Sequence, residues 1–235
     1  MVTGMIILLI FRVKIIYSVV YTMPYPSAPW NLRGYSLQTL HLLDVACVRP
    51  YVPAELQILS VLPGKTLGGV YVAAYKTGSV LQYNELIVVS ALVWETGKLG
   101  SWISHIYVDQ PDSVAGGREI WGLPKQFAQF NWQRDPTPAV EVSCDGQLLC
   151  HLKSAGQLPG WHQSFAMSSF GKIDQQLLTF KAKANFKLQL AHLQLEIPIE
   201  SCFSHLRLGY PLLGFYATSL QLCVEAPTAV REMGK

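Results

Sequence analysis

Tyr83-Asn84-Glu85-Leu86-Ile87-Val88-Val89-Ser90-Ala91-Leu92-Val93-Trp94 is the stretch on which the fold turns. Its β-branched and aromatic content predicts a strand. Both of that strand's faces, Tyr83/Ile87/Val89 on one side and Leu86/Val88 on the other, are largely apolar. Glu85 interrupts the pattern. Burying an unpaired charge is expensive, so Glu85 must either hold a proton or have a partner such as an arginine or Lys125.

Working outward, similar apolar runs bounded by Gly, Pro, Asp and Asn predict strands at Leu37 to Val45, Leu56 to Leu62, Gly69 to Tyr75, Trp102 to Val108, Phe127 to Gln133, Ala139 to Cys144 and Leu148 to Ser154. Phe186, Leu188 and Leu190 alternate with polar residues. Leu193, Leu195 and Ile197 resume one residue out of phase, the mark of a bulge. Phe215 to Val224 is a further strand, ended by Pro227. The one helix expected runs from Asp112 to Arg118, with Asp112 as its cap. Gly116 and Gly117 weaken it. So many closely spaced strands predict a mainly β, closed or sandwiched antiparallel domain with few short helices. Periodicity alone does not separate barrel from sandwich.

The bulk numbers narrow the function. The chain has 235 residues, 50% hydrophobic and only 14% charged, against about 25% charged in an average domain. One domain is expected, with too few charges to cover a monomer, so a homo-oligomer is expected too. The net charge of +3 comes without a basic run, which removes the electrostatic footprint of nucleic-acid binding. Five cysteines form no C-x-x-C pair. If Asp145-Gly146 is a hairpin turn, Cys144 faces Gln147 and Cys150 faces Glu141, leaving the two thiols on opposite sides of the ribbon. No bridge is expected, and a cytoplasmic location fits.

Residues 1–22 form an apolar extension. Arg12 and Lys14 sit near the middle of its apolar run, each costing about 2.5 to 3.5 kcal/mol on insertion into a membrane. No spanning helix is therefore expected. The functional domain is placed at 23–235, with Met23 as its start.

The six histidines show no metal-ligand spacing. His192 and Glu196 can share a strand face, but two ligands are too few for zinc. His105, amid Ile103, Ile106 and Tyr107, is expected in the interior or in a pocket wall. No nucleophile elbow, phosphate-binding loop or dinucleotide fingerprint is present, so no metal and no cofactor is expected.

The chemistry gathers at Gly116-Gly117-Arg118-Glu119-Ile120-Trp121-Gly122-Leu123-Pro124-Lys125, which delivers one lysine into a nearly chargeless stretch. A free lysine amine, with an ordinary pKa of about 10.4, is protonated at neutral pH. Desolvation disfavours the ammonium form. The expectation is an uncharged, nucleophilic amine with little water and no counter-ion nearby.

Ile106-Tyr107-Val108-Asp109, Ala115-Gly116-Gly117-Arg118-Glu119 and Pro124-Lys125, preceded by Tyr83-Asn84-Glu85, resemble the acetoacetate decarboxylase family, from about Trp30 to Val230. That family is the established example of a lysine activated by an apolar pocket or a neighbouring cation. The resemblance implies a cone-shaped β-barrel around the lysine, with Lys125 as the Schiff-base residue and Glu85 as its acid/base partner. By the same resemblance Arg33 lies near a pocket arginine that would bind a substrate carboxylate, although a surface role fits the residues equally. Arg118 and Glu119 are taken as structural support.

Two departures stand out. Gln126 replaces the family's second lysine, and no Asp or Glu lies between Leu56 and Asn84 to supply its second pocket carboxylate. The resemblance implies a cofactor-free carboxy-lyase acting on acetoacetate or a related β-keto acid. An imine-forming aldolase or dehydratase on a larger keto acid, and a non-catalytic small-ligand barrel, stand as alternatives.

Overall fold

The computed structural model describes residues 25–134 and 136–233. The extension at 1–22 and the start at Met23 lie outside the described residues. In chain order the elements are β1 (Trp30–Asp44), α1 (Val45–Val48), β2 (Gln57–Ile58), β3 (Lys65–Tyr75), β4 (Tyr83–Glu95), β5 (Lys98–Val108), α2 (Pro111–Trp121), β6 (Lys125–Phe127), β7 (Gln129–Gln133), β8 (Ala139–Cys144), β9 (Gln147–Gln157), β10 (Trp161–Ile173), β11 (Gln176–Glu196), β12 (Leu213–Val224) and β13 (Thr228–Glu232).

The strands run in the order β10-β5-β4-β3-β1-β12-β11, and β11 pairs back onto β10. Seven strands therefore close into a barrel, which leaves no open sheet edge where the closure is complete. The pairings are antiparallel except for the seam, where Ser169 and Phe170 of β10 meet Ser101 and Trp102 of β5 in parallel. β11 serves two layers. Its first part pairs with β10 and β12, and from Ala191 onward it pairs with β9, which carries β8 and β7 as an outer flap. The phase slip expected there is real: the register shifts between Asn185 and Lys187 against β12, and again between His192 and Leu193 against β9.

This layering explains the two apolar faces of β4. Tyr83, Ile87 and Val89 join the cluster inside the barrel, with Trp30, Tyr75 and Trp121. Leu86 and Val88 join a second cluster outside it, with Leu37, Val72 and Leu152. A strand buried on both sides needs apolar residues at both parities.

Several expected boundaries move. The strand expected at Leu56 to Leu62 shrinks to β2, because the chain turns back at Leu62 to Lys65 and leaves Val61 and Leu62 exposed. The run from Phe127 to Gln133 is split at Ala128, whose amide bonds to the carbonyl of Val108. Pro227 ends β12, but the chain resumes at once as β13 on β11. In the β8–β9 hairpin Cys144 does face Gln147, whereas a shift after Val142 pairs Cys150 with Val142 rather than Glu141. All five cysteines are free.

The helix is longer than expected. α2 is capped by Gln110, whose side-chain oxygen accepts from the amide of Asp112, and Asp112 itself lies inside the first turn. Gly122, at φ 65°, ends it in the left-handed region that favours glycine.

Candidate active site

Glu85 points into the barrel from β4, between Ala73 of β3 and Val108 of β5. Lys125 arrives from the other side. After Gly122 the chain folds back on α2, with the amide of Leu123 bonded to the carbonyl of Gly117 and the amide of Lys125 bonded to that of Leu123. Lys125 then opens β6, in parallel register with Ile106.

Its side chain runs directly over α2. A Cβ added to Gly117 would lie 2.3 Å from Lys125 Cδ, and one added to Gly116 would lie 2.7 Å from the Trp30 ring. Glycine inside a helix costs about 1 kcal/mol relative to alanine. Here the missing side chains are what let lysine and tryptophan reach their places.

The result is a buried pair. Lys125 Nζ lies 2.8 Å from Glu85 Oε1, with side chains only 3% and 6% exposed. Nζ also donates to Ser113 Oγ at 3.0 Å. The ammonium sits over the rings of Tyr83 and Trp30, 5.0 and 5.5 Å from their centroids, positions that favour a cation. On the far side of the carboxylate, Tyr75 donates its hydroxyl to Glu85 Oε2 at 2.9 Å, and Tyr71 lies 3.2 Å beyond, oxygen to oxygen. Burial first, then the charge of Glu85, pushes the Tyr75 hydroxyl well above its ordinary value. Tyr83 is raised by the same two causes in the same order. These phenols therefore remain protonated donors.

The expectation that Lys125 has no counter-ion is thus corrected. Its sequence neighbours carry none, but the barrel brings Glu85 across from another strand. A buried ion pair has a neutral alternative, amine plus carboxylic acid, reached by one proton transfer, and burial penalises the charged form.

The other expected residues divide. Arg118 donates from Nε to the Lys125 carbonyl at 2.7 Å, bracing the lysine's backbone. Glu119 accepts from the Tyr25 hydroxyl at 2.5 Å, and that bond is the main cause pushing Tyr25 up to about 12. Tyr25 in turn packs against Gly116. Arg33 does not join them. Trp30 and Leu32 take the inward parity of β1, so Arg33 faces out, exposed, its stem across Gly78. The pocket role implied for Arg33 is therefore corrected to a surface one.

Gln126 is exposed. His105 sits between the rings of Tyr51 and Phe203 in the outer cluster, away from Lys125, with Nδ1 2.9 Å from Ser104 Oγ. Glu196 meets His151 at 3.6 Å. Among the described residues no group of His, Cys, Asp and Glu could hold a metal.

Sequence reading missed Tyr71, Tyr75 and Ser113. The two tyrosines lie at alternate positions flanking Ala73 on β3, and only the register Ala73 with Glu85 shows that they share its face. Ser113 precedes Gly117 by one helical turn, the spacing that places both on the lysine's side.

A buried lysine–carboxylate pair, Glu85 on β4 and Lys125 on β6 with β5 between them, lies in a closed β-barrel beside a helix with two glycines. A family model for acetoacetate decarboxylase matches residues 22–172, and the chain belongs to that family. Among curated relatives, Protein NEOXANTHIN-DEFICIENT 1 of Oryza sativa subsp. japonica is 34% identical over 103 residues, covering 44% of this chain and 34% of that protein. An acetoacetate decarboxylase of Ralstonia nicotianae is 28% identical over 123 residues, covering 52% and 44%. The matched stretch thus spans only about a third of the rice protein's length.

In fold, an acetoacetate decarboxylase structure superposes with a TM-score of 0.76 at 14% identity, covering 90% of this chain and 93% of that one. The enduracididine biosynthesis enzyme MppR in complex with pyruvate gives 0.70 at 14% identity, covering 92% and 97%. These structural likenesses show the fold.

Proposed function

We propose that this protein is a Schiff-base enzyme that condenses Lys125 with the carbonyl group of its substrate. The contact between Lys125 and Glu85, 2.8 Å and buried, carries the reading. Glu85 takes one proton from the ammonium. The freed Nζ lone pair attacks the carbonyl carbon and forms a C–N bond. The carbonyl oxygen departs as water with one proton from nitrogen and one returned by Glu85, leaving a protonated imine beside the Glu85 carboxylate.

With a β-keto acid, the use that the family's name implies, the bond to the carboxylate breaks. Carbon dioxide leaves, and the electron pair enters the imine as an enamine. Protonation of its carbon and hydrolysis then release the ketone. MppR, which shares the fold, is known in complex with pyruvate, a small keto acid. Arg118 and Glu119 hold the lysine loop and α2 in place and touch no substrate.

A second use of the same imine, aldol-type or dehydration chemistry without loss of carbon dioxide, is favoured by one observation. Among the described residues the buried carboxylates are Glu85 and Glu95, and Glu95 is tied to Arg231 at 2.7 Å, so the second pocket carboxylate has no replacement.

Borohydride reduction in the presence of a keto-acid panel, read by peptide mass spectrometry, tests the reading. An adduct on Lys125 is expected. Unmodified Lys125 alongside normal turnover eliminates the mechanism, and unchanged ligand affinity in Lys125→Ala, with no activity lost in any assay, makes the barrel a binder. The setting we propose is the cytoplasm, as a homo-oligomer.

A further inference from the structure

The inner wall of the barrel is more open than its outer wall. Ile87 and Val89 follow Glu85 on the inward face of β4, and Tyr71 pairs with Ile87. All three belong to the interior cluster, yet all three are only partly buried, as are Ala184, Phe186 and Leu222 across the barrel. Their outward neighbours Val72, Leu86 and Val88 are fully buried. These inward-facing hydrocarbon and aromatic side chains, the first of them two residues after Glu85 on the same face of β4, therefore keep contact with solvent.

The wall continues past the barrel's seam. β10 pairs with β5 only at Ser169 and Phe170, so its earlier residues run on with β11 alone on that side. There Met167, Phe165 and Trp161 stand opposite Ala182, Ala184 and Leu188, and so share the face that Ala184 and Phe186 turn to the interior. Phe165 is 56% exposed and Trp161 47%. The charges of this ribbon, Lys181, Lys183 and Lys187, occupy the opposite parity of β11 and are exposed. An apolar strip therefore leads from the Lys125–Glu85 pair to the rim.

Charge decides what fits it. Lys125 is the only cation among the buried residues described, and Glu85 already neutralises it. After condensation the protonated imine and Glu85 are again net neutral. A carboxylate on the substrate would be a third buried charge with no partner, and an unpaired buried ion is heavily penalised.

We propose that the substrate of Lys125 is an uncharged, elongated apolar ketone or aldehyde, with its carbonyl at Lys125 and its chain along Ile87, Phe186 and Phe165. This rests on the imine reading above and takes its second use, without loss of carbon dioxide, in place of the β-keto acid. The imine then serves proton-transfer, aldol or dehydration chemistry on a neutral skeleton.

The test uses the whole protein with cyanoborohydride, and quantifies the Lys125 adduct by peptide mass spectrometry. The probes are β-keto acids, their methyl esters, and methyl ketones from butanone to decanone. Each ester is expected to label Lys125 at least about tenfold more efficiently than its acid. Each added methylene of the ketone is expected to raise apparent affinity about fourfold, equivalent to about 0.8 kcal/mol, until the strip is filled. Phe165→Ser, a change at an exposed position, is expected to reduce labelling by the longest ketone.

Acids that match or exceed their esters, a flat chain-length series, or unchanged decanone labelling in Phe165→Ser would each overturn the proposal while leaving the imine on Lys125 standing. No Lys125 adduct with any probe would sink the imine reading and this one with it.

Discussion

A double-mutant cycle on Lys125 and Glu85 puts the buried pair to its most direct test. At 2.8 Å and an effective dielectric of about 20, two unit charges attract by about 6 kcal/mol. Withdrawing each ion from water costs several kcal/mol even after relaxation. The two sides nearly cancel, so the pair adds little to stability as a whole, while either half alone is costly.

Lys125→Met strands a carboxylate at a site 6% exposed, and Glu85→Gln strands an ammonium at one 3% exposed. Each single variant is expected to lose about 3 to 5 kcal/mol. The double variant replaces both charges with neutral groups of similar size, and is expected to lie within about 1 kcal/mol of the parent or above it. Urea melts of the four proteins give the coupling energy, and borohydride trapping runs in parallel. All three variants should fail to form the adduct, although one of them is as stable as the parent. Additive stability changes, or single variants within about 0.5 kcal/mol of the parent, would show that the two charges are neither buried nor paired, and the mechanism would lose its nucleophile.

Three other perturbations bear on the site and its frame. Tyr75→Phe removes a hydrogen bond to a charged acceptor, worth about 1.5 to 3 kcal/mol; urea melts should show that loss together with slower adduct formation, and an unchanged protein would mean that Tyr75 does not hold Glu85. Gly117→Ala should raise helix propensity by about 1 kcal/mol while placing a methyl group 2.3 Å from Lys125 Cδ. Melting and trapping should therefore diverge, with stability nearly kept and the adduct lost, and a fully active variant would refute that packing. Burial lowers the imidazoles of His41 and His105 from their ordinary 6.5, so below pH 6.5 the unfolded chain binds protons that the folded one refuses. Stability should be flat from about pH 8 to 6.5 and fall below that, and a flat urea midpoint down to about pH 5 would contradict it.

Whatever depended on one strand's own pattern was legible in the sequence, and whatever depended on which strands meet was not. Glu85 declared itself because a carboxylate in a strand apolar on both faces has to be answered by something. The hairpin at Asp145-Gly146 placed Cys144 opposite Gln147 correctly, and a bulge invisible to alternation then spoiled the pairing of Cys150. The seam was hidden because β10 begins with Trp161, His162, Gln163 and Ser164, which are exposed on both faces and show no alternation. Its parallel partner also lies far back in the chain. The pocket role of Arg33 rested on the resemblance alone, with a surface role fitting equally; β1 begins at Trp30, ahead of the strand start expected at Leu37, and its parity turns Arg33 outward. The absence of a counter-ion holds for the sequence neighbours of Lys125 alone: of the partners expected for Glu85, an arginine or Lys125, the sheet brings Lys125.

The places where the chain departs from what would stabilise it converge on one point. Replacing a buried ion pair with apolar residues is often neutral or favourable, so the fold gains little by keeping Lys125 and Glu85. Gly116 and Gly117 weaken α2 by about 1 kcal/mol each, yet side chains there would strike Trp30 and Lys125. Two buried tyrosines, a third that is partly buried, and a buried serine, all polar, surround the same nitrogen and carboxylate. Local choices that oppose stability without compensation in packing belong to sites rather than scaffolds. Because they share one geometric centre, a single pair of atoms, Lys125 Nζ and Glu85 Oε1, accounts for all of them. The helix is thinned so that the amine can arrive, and the hydroxyls are buried to aim the carboxylate. The charges are held in balance, and the mechanism proposed above needs only one proton to cross 2.8 Å.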